Sequence, residues 1–150
     1  MAGFCSMLQI LSVGAWGIFA GAQLAEACLL VPYWRSLRAE EFLDRYDEND
    51  RRLVALLGPQ TVAITLTSVA FTIPAIAPWH PGRWSAVLST VVAGVVLAGF
   101  FAYFNEVNAR FAAGRIAPDD VPAELSRWAL LHWVRTSLAL VAFVALLSSL

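Results

Sequence analysis

Charged residues are scarce in this chain, and lysine is absent. Only 14% of the 150 residues are charged and all ten basic residues are arginines, whereas 59% are hydrophobic and the mean hydropathy is +0.68. Soluble domains are roughly half apolar and about 25% charged. The composition therefore indicates a membrane protein, and a net charge of -1 gives no reason to expect nucleic acid as a partner.

Cysteine and histidine are also few. Cys5 and Cys28 fall on one predicted helix, about 35 Å apart at 1.5 Å per residue, which excludes a disulfide within the chain. The two histidines, His80 and His132, belong to opposite ends of the predicted fold, so no ligand set indicates a metal site and we expect no cofactor. A haem bound by His132 is the alternative. The sequence contains no Ser/His/Asp triad, P-loop or dinucleotide fingerprint.

Four apolar stretches dominate the sequence. A membrane-spanning helix needs about 20 such residues, and the stretches cover residues 4–31, 53–77, 84–104 and 128–150. We predict an all-α, polytopic membrane protein, a single domain over residues 1–150 with four transmembrane helices in an up-down-up-down bundle. The first stretch lacks a basic segment before it and a cleavage site close behind it, so we expect a retained helix rather than a signal peptide.

Two connections of about 20 residues and one short turn, Pro78 to Arg83, are left between these spans. The first connection, "RSLRAEEFLDRYDENDRRL", spaces Phe42, Leu43 and Tyr46 three to four residues apart. This spacing predicts a short interfacial helix, with a solvated connector as the alternative.

The second connection, "GRIAPDDVPAELSRW", carries clear helix-boundary signals. Gly114 is the expected C-cap of the third helix, while Pro118 and Pro122 should prevent its continuation. Asp119 or Asp120 is expected to cap the fourth helix.

The arginines are divided unequally between the two faces of the predicted bundle. Arg83 lies in the short turn, and eight others lie near the long loops: Arg35, Arg38, Arg45, Arg51, Arg52, Arg110, Arg115 and Arg127. Because cytoplasmic loops carry an excess of basic residues, we expect a multi-pass protein of the cell membrane. Its long loops should be cytoplasmic and both termini extracytoplasmic.

Polar residues inside the predicted spans converge on the cytoplasmic half. They are Gln23 and Glu26, then Gln60, then Asn105 and Asn108, and finally the stripe of Trp128, His132 and Arg135. Arg135 lies about 12 Å inside the span, where facing lipid would cost at least roughly 2 to 3 kcal/mol. We expect Arg135 to point inward and pair with Glu26, with Gln60 and Asn105 as hydrogen-bond partners.

This cluster predicts a polar pocket. His132 is suited to act as a general base while Glu26 balances the charge of Arg135. Asn105 and Asn108 are candidates to hydrogen-bond a substrate oxygen, and the candidate substrate-binding residues also include Gln60, Trp128 and Trp34. The alternative is purely structural, because a buried charge pair also serves to fix helix register.

Three segments, "GIFAGAQLAEACLLVPYW", "FFAYFNEVNARF" and "RWALLHWVRTSL", together resemble the anthrone oxygenase-like family of small integral membrane proteins. The resemblance covers nearly the whole chain. It implies oxidation of an anthrone to an anthraquinone by molecular oxygen, with no obvious bound cofactor. It also implies that His132 is the base and that Asn105, Asn108 and Arg135 stabilise the resulting anion.

Three functions remain open at this point. The first is a cofactor-independent oxygenase or related oxidoreductase that acts on a hydrophobic phenolic or quinone-like molecule. The second is a non-catalytic membrane subunit whose charged segment, Arg35 to Arg52, docks a partner protein, and the third is a small carrier or metal-binding protein. In each case the expected surroundings are membrane lipids, and a homo-oligomer is possible.

Overall fold

Four helical stretches make up the fold. The computed structural model describes residues 2–76 and 80–150, so Pro78 and Trp79 of the predicted short turn lie outside the described residues. Spans 1 to 4 are Gly3–Ser36, Ala39–Ala75, Arg83–Ala112 and Pro118–Leu147, and each is long and apolar enough to cross a membrane. The predicted all-α class with four helices of membrane-spanning length is confirmed.

Two of the spans contain a π-helical turn. Span 1 consists of α1 (Ala2–Ala25), a π segment (Glu26–Leu30) and α2 (Val31–Ser36), and span 2 is the single helix α3 (Ala39–Ala75). Span 3 consists of α4 (Arg83–Gly99), a π segment (Phe100–Phe104) and α5 (Asn105–Ala112). Span 4 consists of a 3₁₀ turn (Pro118–Asp120) and α6 (Val121–Leu147). Such π turns occur often at functional sites.

The two predicted long loops are mostly helical, which corrects the predicted span boundaries. Span 2 begins at Ala39 rather than at residue 53, and span 1 runs on to Ser36, so only residues 37–38 break the helix. Hydropathy detects the apolar centre of a helix and misses a polar extension of the same helix. Here the extension contains three Glu and three Arg residues, which are good helix formers, and it buries Phe42 and Tyr46. The predicted interfacial helix is therefore the first part of span 2.

The connection between spans 3 and 4 follows its predicted boundary signals in part. Gly114 has a φ of 60°, and the amides of Gly114 and Arg115 donate to the carbonyls of Phe111 and Arg110 at 3.1 and 2.9 Å, which is a Schellman cap. Pro122, by contrast, lies in the first turn of α6 rather than outside a helix, a position where proline is tolerated. Asp120 precedes α6 but makes no side-chain cap hydrogen bond.

Each span packs against two neighbours. Span 1 contacts spans 2 and 4, and span 3 contacts the same two. Two apolar clusters fill the interior. One surrounds Trp16, Phe71 and Leu146, and the other surrounds Trp34 and Trp128.

Outside the charged start of span 2, the outward faces of the spans are largely apolar. Exposed side chains include Ile18, Leu66, Val91 and Val144, each more than half accessible. Large apolar surface of this kind marks a contact with other molecules or with membrane. It is consistent with four helices whose outer faces meet lipid chains.

Candidate functional site

A buried polar layer separates the two apolar clusters. It consists of Gln23 and Glu26 on span 1 and His132 and Thr136 on span 4, all at most 5% exposed. Residues three or four positions apart share one face of a helix, so both pairs project into the same interior layer. The chemistry of the site therefore comes from a strip of facing side chains on these two spans.

Arg135 and His132 form the best-defined hydrogen bond of this layer. Nη2 of Arg135 donates to Nδ1 of His132 at 2.7 Å. A guanidinium has no acceptor, so Nδ1 is unprotonated and Nε2 carries the hydrogen, which it donates to the carbonyl of Gln23 at 3.1 Å. Both ring nitrogens of the fully buried His132 are thus engaged by protein groups.

Glu26 lies close to this pair without bonding to it. Its Oε2 is 3.8 Å from Nη2 of Arg135 and 3.8 Å from Nδ1 of His132, too far for a hydrogen bond. Oε2 is buried and has no hydrogen-bond partner among residues 2–76 and 80–150. Glu26 and Arg135 therefore attract each other electrostatically but are not closed into a hydrogen-bonded ion pair.

Aromatic rings contact the side chains that span 4 contributes to the site. The indole of Trp128 stacks on His132 with centroids 5.0 Å apart, and its Nε1 donates to Oδ1 of Asn108 at 2.9 Å. The guanidinium of Arg135 lies 4.4 Å from the centroid of the Phe104 ring, a favourable cation–π distance. These contacts fix the direction in which Arg135 points.

A cavity of about 240 Å³ opens beside the polar layer. Its polar lining comprises Gln23, Glu26, Tyr46, Asp50, Thr61, Asn108 and Arg135, and most of the remaining wall is aliphatic or aromatic. Ligand pockets for drug-sized molecules typically measure about 300–1,000 Å³ and combine an apolar wall with a few polar groups. This cavity has that composition at a volume suited to a small ring compound or to one end of a larger one.

The predicted site residues divide into two groups. Glu26, Arg135, Asn108 and Trp128 all line the cavity, as the predicted pocket requires. The remaining four, His132, Gln60, Asn105 and Trp34, do not line it.

Each residue of the second group has a different position. His132 lies behind Arg135, with its two nitrogens already bonded, and Trp34 packs in the aromatic cluster 5.6 Å from the ring of Trp128. Asn105 is exposed. Oε1 of Gln60 is buried without a partner among the described residues.

Four of the polar lining residues, Gln23, Tyr46, Asp50 and Thr61, were not predicted as catalytic or substrate-binding residues. Gln23 was visible in the sequence as a neighbour of Glu26, whereas Tyr46 and Asp50 belong to the segment interpreted as a loop. The signal for Tyr46 was its spacing from Phe42, which places both on one helix face. The ring centroid of Tyr46 lies 5.4 Å from those of Trp34 and Phe111. This packing places the first turns of span 2 beside the cavity.

No group of three or more His, Cys, Asp or Glu side chains that could hold a metal ion occurs in the part of the chain that the structure describes. Comparison with known proteins adds no relative, because no family model, curated protein or solved structure matches the chain.

Proposed function

We propose that this protein is a membrane enzyme that oxidises a hydrophobic phenolic or quinone-like molecule with molecular oxygen and without a bound cofactor, as the resemblance to anthrone oxygenase-like proteins implies. The observation that carries the proposal is the Glu26 carboxylate. It is 5% exposed, its Oε2 has no hydrogen-bond partner among the described residues, and it lines a mostly apolar cavity together with Arg135. A buried ionisable group in a membrane span is a candidate functional group.

The cavity geometry favours Glu26 as the base. His132 was the predicted base, but its nitrogens are bonded to Arg135 and to the backbone of Gln23, so it is better suited to position Arg135. Glu26 removes a proton from an activated carbon or hydroxyl group of the substrate. Arg135, whose Nε also lacks a partner among the described residues, stabilises the anion that forms.

The reaction balances with oxygen as the only co-substrate. After deprotonation, the anion of an activated methylene group is oxidised by O₂. One oxygen atom becomes the new carbonyl oxygen, and the other leaves as water with the two hydrogens of the methylene group. A hydroquinone has no such methylene group and would instead transfer two electrons and two protons to O₂, which gives a quinone and H₂O₂. In both cases Glu26 and Arg135 return to their starting states, so the step needs no reductant.

The proposed arrangement in the membrane is an up-down-up-down bundle in the cell membrane with both termini outside. It is supported by the eight arginines near the two polar connections, compared with Arg83 alone in the short turn. Basic residues are retained on the cytoplasmic side. The polar layer then lies in the cytoplasmic half of the bilayer.

A non-catalytic membrane subunit is the second candidate. It is favoured by the complete burial of His132, whose bonds to Arg135 and Gln23 would also fix the register of spans 1 and 4. Its docking surface would be the outer face of the charged segment, where Arg45 and Glu48 are exposed, because Phe42 on the inner face is buried.

Oxygen consumption separates the two candidates. We expect the purified protein in detergent to consume oxygen with anthrones or substituted hydroquinones, and we expect Glu26→Gln to abolish the uptake because the base is lost. Ser12→Ala is the matched control, since Ser12 is also a buried polar residue of span 1 without a hydrogen-bond partner for its Oγ among the described residues, but it does not line the cavity. Equal rates in Glu26→Gln and the wild type would exclude the proposed mechanism.

A further inference from the structure

The wall of the cavity between spans 2 and 3 differs from its other walls. Three residues that line the cavity there are more than half exposed: Val54 at 55%, Val62 at 57% and Phe101 at 67%. A residue that both lines a cavity and faces outward lies at its rim. The cavity therefore opens sideways, between spans 2 and 3, toward the apolar outer surface.

Spans 2 and 3 are held together at their two ends. At one end the Thr72 hydroxyl donates to the carbonyl of Ala86 at 2.8 Å and lies 2.8 Å from the Thr90 hydroxyl. At the other end the rings of Phe42 and Phe111 pack edge to face with centroids 5.0 Å apart. The gap lies between these contacts, so the two helices can border an opening without separating.

Gly58 lies at the rim of the opening. It is exposed and lines the cavity, and a Cβ atom placed there would meet no atom within 4 Å. On the facing helix, the π segment supplies Phe100 and Phe101 to the same wall. A glycine opposite two large rings leaves room for a flat molecule to pass.

The interior of the cavity presents a built polar site. Glu26 is more than nine-tenths buried, accepts no hydrogen bond at Oε2 from the described residues and lines the cavity. Nη2 of Arg135 lies 3.8 Å from Oε2 of Glu26, and its positive charge balances the carboxylate. A ligand with an apolar ring body and a neutral polar group matches the polar interior and the apolar wall of the cavity. Its polar group would lie at Glu26 and its ring toward the rim.

We propose that the gap between spans 2 and 3 is the entrance through which a ring compound dissolved in the membrane reaches Glu26, and that Gly58 keeps the entrance open. The inference rests on the proposed function only in taking the cavity as a ligand site, and it is independent of the reaction. The competing route is from water, past Asp50, which lines the cavity on the polar extension of span 2.

A photoreactive ring compound tests the entrance without knowledge of the substrate. The wild-type protein in phosphatidylcholine vesicles is irradiated with 3-trifluoromethyl-3-phenyldiazirine, which dissolves in the bilayer, and the modified residues are located by mass spectrometry. We expect modification of Glu26 inside the cavity. Val144, 57% exposed on span 4 and not among the residues that line the cavity, is the reference for general labelling from lipid.

Two glycine variants provide the comparison. Gly58→Phe should lower the ratio of Glu26 to Val144 modification by about tenfold, the effect of a barrier increase of about 1.4 kcal/mol. Gly94→Phe, the same change at an exposed glycine of span 3 with equally open surroundings, should leave the ratio unchanged. If Gly58→Phe fails to fold by circular dichroism, Gly58→Leu takes its place.

Either of two results would overturn the proposal. One is an unchanged Glu26 ratio in the correctly folded Gly58 variant. The other is equal modification of Glu26 by a quaternary-ammonium derivative of the diazirine added from water, which would assign the entrance to the Asp50 side. Labelling requires no turnover, so failure of the oxygen-uptake experiment with labelling as expected would remove the proposed reaction and retain the entrance.

Discussion

The coupling free energy between the charges of Glu26 and Arg135 is the most direct measure of how far water is excluded from the site. The perturbation is a double-mutant cycle of Glu26→Gln, Arg135→Met and the double variant. Methionine keeps an apolar stem against the Phe104 ring, on which the Arg135 guanidinium lies at 4.4 Å. The cycle therefore isolates the charge interaction from most of the packing.

The expected magnitude follows from the distance and the burial. Oε2 of Glu26 and Nη2 of Arg135 are 3.8 Å apart, with 6% and 13% of the side chains exposed. Two unit charges at this distance attract by about 4 kcal/mol at an effective dielectric constant of about 20. Each single variant leaves a buried charge unpaired and should lower the free energy of unfolding by about 3–5 kcal/mol, whereas the double variant should lose clearly less than the sum.

Unfolding in mixtures of dodecyl maltoside and sodium dodecyl sulfate, followed by circular dichroism, gives the four free energies. A coupling of about 2–4 kcal/mol would agree with a low-dielectric layer. A coupling under about 1 kcal/mol, as for exposed ion pairs, would show that water screens the two charges. That result would refute the argument that the cavity is a shielded polar site.

Substitutions in three further places, at His132, at the Trp16–Ser68 pair and at Gly114, test the positioning of the site and the stability of the fold. His132→Leu should abolish most oxygen uptake because Arg135 loses its acceptor, and His132→Asn, whose Oδ1 can replace Nδ1, should restore a measurable part of it; equal loss in both would contradict a positioning role. Trp16→Phe should lower the free energy of unfolding by about 1–3 kcal/mol, because the hydrogen bond from Nε1 to Oγ of the fully buried Ser68, 2.8 Å long, is lost. Adding Ser68→Ala removes the unpaired hydroxyl and should recover part of that loss. No recovery would contradict this account of the hydrogen bond. Gly114→Ala should cost about 1–2 kcal/mol through its φ of 60°, and an unchanged unfolding free energy would argue against the left-handed cap.

The sequence predicted much of the site because the relevant residues obey helical periodicity. Trp128 and Arg135 lie seven residues apart, two turns of one helix face, and both line the cavity. Arg135 was expected to point inward because exposure to lipid is costly, and its nearest carboxylate is Glu26, as predicted. The first two inferences need only the periodicity of one helix, and the third adds only that a buried charge requires a partner of opposite sign.

The residues that the sequence assigned to the pocket but that lie elsewhere depend on side-chain packing and on departures from regular α-helical geometry. His132 shares the face of Trp128 and Arg135, yet it is occluded by the ring of Trp128 stacked on it at 5.0 Å. Asn105 follows directly after the π segment Phe100–Phe104, whose wider turn changes the face on which later residues fall. A helical wheel drawn from the sequence at 100° per residue does not include that extra rotation.

The sequence alone determined that four long apolar helices exist, because an apolar run of about 20 residues with few charges is stable mainly as a membrane-length helix. It also determined which helices carry Glu26, His132 and Arg135. Only the tertiary structure decided that Tyr46 and Asp50 reach the cavity, that His132 supports Arg135 from behind, and that Gly58 lies at an opening between two spans. Those properties depend on the rotation and distance of packed helices, and such quantities result from side-chain contacts between segments far apart in the chain.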